Sequence, residues 1–102
     1  TGTHDLASIG GQTIDSRLAV FPALPQGNHY ELVLNKAEHS AFNDKAFSKD
    51  KLPRNPNHHR VILGLSTAFW DAYLRNDAEA RSWLNGDSPM NILEKQDRLQ
   101  KK

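Results

Sequence analysis

Apolar and polar positions alternate with two different periods along this chain. From Pro56 to about Arg75, residues Val61, Ile62, Leu65, Ala68, Phe69, Ala72 and Tyr73 recur at helical spacing, which predicts an amphipathic helix. Asn55-Pro56 supplies a side-chain cap and a proline at the first helical position, both good start signals. Leu63, Trp70 and Leu74 widen the stripe, so the helix is expected to be buried on more than one side. A second helix is predicted over Asp77–Asn85, with Asn76 and Glu79 as a capping-box-like pair, Trp83 and Leu84 inward and Gly86 as the stop.

The other strong signal is His29–Leu34, where Tyr30, Leu32, Val33 and Leu34 form a nearly continuous apolar run. Such a run suits a strand covered on both faces, as in a parallel sheet flanked by helices. Between Ser16 and Leu24 a short helix is expected, capped by Thr13 or Asp15 and limited by Pro22 and Pro25. Gln26-Gly27-Asn28 reads as a turn. Asn35 to Asn55 is a long connection with a turn of helix near Asp44–Phe47. Beyond Asp87, the cluster Met90, Ile92 and Leu93 is expected to dock as a short turn before a charged, frayed end. The class is α/β. No second full strand stands out, so the sheet is expected to be incomplete, with pairing to a second copy as one way to cover the strand's edges.

Composition narrows the partners. The 102 residues suit one small domain. A formal charge of +1 offers no electrostatic argument for nucleic acid or an anionic membrane. Cysteine is absent, which excludes disulfides, iron–sulfur clusters and cysteine-based zinc sites. No apolar run approaches the roughly 20 residues that cross a bilayer.

Two loops carry candidate chemistry. T-G-T-H-D at the start places Asp5 where a strand end turns into a loop, and Y-E-L-V-L-N-K-A-E-H-S-A-F places His39 in the loop after the predicted strand. A histidine base needs a carboxylate that accepts its second N–H, fixes the tautomer and stabilises the imidazolium. Asp5 is the favoured partner. Asp15 fits a helix cap, and Glu38, next to His39 in sequence, is badly placed to reach the ring. Ile9 and Phe42 flank the proposed acid and base and are candidate substrate-binding residues, with core packing as the competing role.

Together with H-H-R-V-I-L-G-L-S-T-A-F-W-D-A-Y-L, these motifs resemble the C-terminal third of α/β-hydrolases. Those most similar are dienelactone hydrolase-like, chlorophyllase and platelet-activating-factor acetylhydrolase-like esterases. The resemblance spans most of the chain. It implies that Asp5 is the triad acid and His39 the triad base, and that residues 1–102 form the last one or two strands and closing helices of one hydrolase domain. It implies serine-dependent hydrolysis of a small ester or related acyl bond, with no metal or organic cofactor. The family's G-x-S-x-G nucleophile elbow is missing, so the serine is expected from an N-terminal portion of the same protein, and the chain alone is expected to be inactive.

Gly64-Leu65-Ser66-Thr67-Ala68 lies inside the periodic helix and lacks the second glycine of that elbow, so Ser66 is read as a helix serine. His58 and His59 are consecutive and lack the i, i+4 spacing of a helical zinc pair; they are read as first-turn or surface histidines. The rival from another class is a non-catalytic helical module that grips a partner with the wide apolar face of Pro56–Arg75.

Overall fold

A computed structural model describes residues 1–6 and 10–102. Strand β1, Tyr30–Val33, lies at the centre of the backbone pairing. On one side it pairs antiparallel with β2, Arg98–Lys101, in the register Leu32 opposite Leu99 and Glu31 opposite Gln100. On the other side the first three residues run parallel to its end, with a bridge between Gly2 and Leu34. The Thr1 nitrogen donates to the Leu32 carbonyl at 2.9 Å, and the Leu34 and Thr3 amides complete the pairing at 3.0 Å each.

Helices α1 (Ile14–Leu18) and α2 (Val20–Ala23) replace the single helix expected over Ser16–Leu24. Thr13 caps α1 and forms a reciprocal capping box with Ser16, while Asp15 sits in the first turn. Helix α3 runs from Pro56 to Leu74 with the Asn55 side chain accepting from the Asn57 amide. Helix α4, Ala78–Asn85, is capped by Asp77, whose carboxylate accepts from the Ala80 amide at 2.9 Å. Asn76 is therefore not the cap. It adopts φ +55°, in the left-handed region, and turns the chain between the helices.

Leu34, Ala37, Ala41, Val61, Leu65, Ala72 and Leu84 form the buried core. The strand's end, the loop after it and both long helices each contribute to that cluster. Phe69, Tyr73 and Trp83 pack against it, as do Ile92 and Leu93. Leu63, Trp70 and Leu74 remain exposed, contrary to the expectation that α3 is covered on several sides.

The expected fold is corrected. The chain does not form the last strands and closing helices of an α/β-hydrolase sheet; it forms a two-stranded antiparallel sheet packed with helices. The strand read as needing parallel neighbours from elsewhere is paired instead by β2 from its own chain. Burial follows from that pairing and from α3, so the apolar run did not require a parallel sheet. β1 is flanked by β2 on one side and, at its Leu32–Leu34 end, by Thr1–Thr3 on the other. No helix among the described residues is long and apolar enough to cross a membrane.

Candidate functional site

Asp5 and His39 meet at the end of β1. The bridge between Gly2 and Leu34 holds the first segment against the strand, and the His4 amide donates to the Ala37 carbonyl at 3.0 Å. Gly2 permits this approach. A Cβ there would lie 2.6 Å from the Ala37 Cβ and closer still to the Ala37 carbonyl oxygen. Asp5 follows in a tight turn, its amide donating to the Gly2 carbonyl at 3.2 Å, and its side chain is 2% exposed.

His39 opens a 3₁₀ turn, His39–Phe42, anchored by the buried Ser40 and Ala41. Before it, Lys36 takes a left-handed backbone conformation at φ +57°, and its amide donates to the Thr3 hydroxyl at 2.8 Å. Glu38 turns away from the ring. Its carboxylate accepts from the Lys51 and Leu52 amides at 3.0 Å, closing the 39–50 loop into a clamped excursion. A local competitor for the acid is thus committed to a structural role.

His39 Nδ1 lies 2.9 Å from Asp5 Oδ1. An ionised carboxylate only accepts hydrogen bonds, so in the neutral ring Nδ1 carries the proton and Nε2 the lone pair. The ring is on a side chain that is 52% exposed, over a carboxylate that is 2% exposed. Asp5 has two further partners that sequence reasoning missed. The Thr1 hydroxyl donates to Oδ2 at 2.9 Å, and the Arg17 guanidinium stands 3.6 Å from Oδ1. Thr1 was not readable, because residues 1–5 form a bridge and a turn rather than a helix that would set it beside Asp5. Arg17 was not readable either, because only the folded path of α1 brings it there.

Phe42 ends the same turn, is 40% exposed, and lines an apolar cavity. The ring of Phe47 stands 6.2 Å from that of His39. Ile9, the other candidate substrate contact, lies outside the described residues. Ser66 sits within α3, its hydroxyl donating to the Leu63 carbonyl at 3.2 Å. His58 is buried in the first turn of α3, and His59 lies 3.8 Å from Asp44. Among the described residues no group of three metal-binding side chains converges.

A second polar cluster joins β1 to α3 and α4. The Tyr30 hydroxyl is 2.8 Å from both the Tyr73 hydroxyl and Asn85 Oδ1, and Arg81 lies over the Tyr73 ring. Burial and the Tyr73 hydrogen bond push the Tyr30 phenol up to about 12. This cluster ties elements together and presents no nucleophile.

The arrangement around His39 can take a proton at Nε2 and return it, with the resulting charge stabilised by Asp5. No protein-family model, curated protein or solved structure matches the chain.

Proposed function

We propose that Asp5 and His39 are the acid and base of a serine-hydrolase triad whose serine is supplied from outside these 102 residues. The observation that carries this reading is the 2.9 Å contact between a buried carboxylate and Nδ1 of a half-exposed imidazole. That pairing is what a general-base histidine requires. The resemblance of the two loops to dienelactone hydrolase-like esterases supports an acyl bond as the target.

In this scheme Nε2 removes the serine proton as the serine oxygen bonds to the acyl carbon. The proton then passes to the leaving alkoxide as the acyl–oxygen bond breaks. Water repeats the sequence and releases the acid. Asp5 touches no reacting atom; it positions the ring and stabilises its charged form. Arg17 and Thr1 hold Asp5 in turn.

The test is His39→Ala in the full-length protein encoded by the gene. Hydrolysis of a short 4-nitrophenyl ester is expected to be lost while the circular dichroism spectrum stays unchanged. Near-normal turnover would overturn the proposal. It would favour instead a binding module using the exposed Leu63, Trp70 and Leu74 of α3.

A further inference from the structure

Helix α3 leaves one seam uncovered. Pro56, Arg60, Leu63, Thr67, Trp70 and Leu74 follow one another at alternating four- and three-residue spacing, and all six are exposed. That spacing averages 3.5 residues, the period of a helix that packs along its length against a second helix. Three of the six are large apolar side chains: Leu63 is 60% exposed, Trp70 54% and Leu74 71%. Single exposed leucines are ordinary, whereas an aligned apolar seam marks an interaction surface. Helix α4 does not cover it. The groove between the two helices is open, about 700 Å³, with Arg60, Leu63 and Thr67 on one wall and Trp83 on the other.

The charges beside the seam decide what fits it. Among the described residues Arg60 forms no ion pair. Asp71, one position after Trp70, engages Arg75 through Oδ1 at 3.1 Å, which leaves Oδ2 for a second cation. Laid against a second copy running in the opposite direction, the seam is complementary to itself. Leu63 falls opposite the partner's Thr67, and Leu74 opposite the partner's Pro56. Arg60 falls opposite the partner's Trp70, one position from the partner's Asp71, so its guanidinium gains an aromatic face and a carboxylate. A two-fold axis repeats every contact. The two Arg60 side chains then stand as far apart along the seam as Arg60 is from Trp70, about 15 Å at 1.5 Å rise per residue. That exceeds the Debye length of about 10 Å at 0.1 M salt. Parallel pairing instead sets Arg60 on Arg60 and Asp71 on Asp71, and like charge penalises it.

We infer that this protein self-associates as an antiparallel, two-fold dimer through the α3 seam. The inference does not rest on the acid–base pair, which stands on other elements. One helix seam makes a small interface, so the dimer is expected to be reversible, with dissociation on the order of micromolar concentrations.

Sedimentation equilibrium of the 102-residue chain, from about 10 µM to about 1 mM, tests this. The mean mass is expected to rise from 11.5 kDa towards twice that value. Leu63→Glu, at an exposed position, is expected to weaken association at least about ten-fold with an unchanged circular dichroism spectrum. Arg60→Glu and Asp71→Arg each set like charges across the seam twice, and each is expected to weaken association on the order of ten-fold. Combined in one chain they restore opposite charges, and most of the loss is expected to be recovered. A chain that stays at 11.5 kDa up to about 1 mM overturns the inference and leaves the seam to a helix of another protein. A dimer indifferent to Leu63→Glu overturns it as well. So does a double variant no tighter than either single one, because parallel pairing would gain nothing from the exchange of charges.

Discussion

Asp5→Asn isolates the chemistry of the site, because it keeps the side chain's shape and removes its charge. Asp5 is 2% exposed and faces His39 Nδ1 at 2.9 Å, the Thr1 hydroxyl at 2.9 Å and Arg17 at 3.6 Å. Removing one partner of a fully buried ion pair costs roughly 3–5 kcal/mol, and a hydrogen bond to a charged group contributes about 1.5–3 kcal/mol. The Arg17 side chain is 20% exposed and that of His39 52% exposed, so solvent offsets part of the loss. The asparagine oxygen also still accepts one bond. A destabilisation of about 2–3 kcal/mol follows, read as a lower urea midpoint at unchanged slope. The ring responds independently of stability. In the parent chain, long-range ¹H–¹⁵N spectra of His39 should show the proton on Nδ1 and a lone pair on Nε2. The asparagine can present its amide N–H₂ to the ring and shift the balance of tautomers. In a working triad, that substitution lowers kcat about 10⁴-fold. A stability change under about 0.5 kcal/mol, the range of an ordinary surface substitution, with His39 spectra unmoved would refute the reasoning.

Three further outcomes follow from the same contacts. Gly2→Ala is expected to cost about 2–3 kcal/mol, because the added Cβ meets Ala37 backbone rather than a side chain that could move; broadened His39 resonances should accompany the loss. Glu38→Ala is expected to cost about 1–2 kcal/mol by releasing the Lys51 and Leu52 amides, with faster hydrogen exchange at both amides as the direct readout. Tyr30, whose phenol is pushed up to about 12 by burial and by Tyr73, gives a pH signature. A raised phenol favours the neutral form in the folded state, so its contribution is whole below pH 10 and is lost as pH rises towards 12. Ultraviolet titration should find one tyrosine ionising near 12, and Tyr73→Phe should bring it closer to the ordinary value.

The sequence made the long elements legible because their signals are local. Asn55-Pro56 and the helical spacing from Val61 to Tyr73 located α3 almost to its ends, and the apolar run located β1. The strand's partner was hidden by its own composition. In Arg98–Lys101, R-L-Q-K, only Leu99 is apolar, and four such residues read as a charged tail. Their pairing is specified at a distance, by Leu99 opposite Leu32 and by Arg98 meeting Glu31 at 3.0 Å. Without that partner, a continuous apolar run on β1 pointed to a parallel sheet, and the fold class went astray. The single helix expected over Ser16–Leu24 divided for a local reason: the Thr13–Ser16 capping box starts α1 earlier, and the chain turns at Ala19.

The juxtaposition of Asp5 and His39 does not depend on the sheet order that failed. It is produced by a few short-range contacts around the end of β1: the bridge from Gly2 to Leu34, the left-handed turn at Lys36 held by Thr3, and the 3₁₀ turn anchored by Ser40 and Ala41. None of those contacts was read from the sequence; the pair was named because a histidine base needs a carboxylate and because T-G-T-H-D and N-K-A-E-H-S-A-F resemble hydrolase loops in that order. Arg17 and β2 could not be named in this way, because each reaches its place by a path that no local pattern encodes. One parallel bridge from Gly2 to Leu34, beside the antiparallel β1–β2 pair, is therefore enough to set a carboxylate against an imidazole. The chemistry of the pair has to be judged on the pair itself, through the tautomer of His39 and its response to Asp5→Asn.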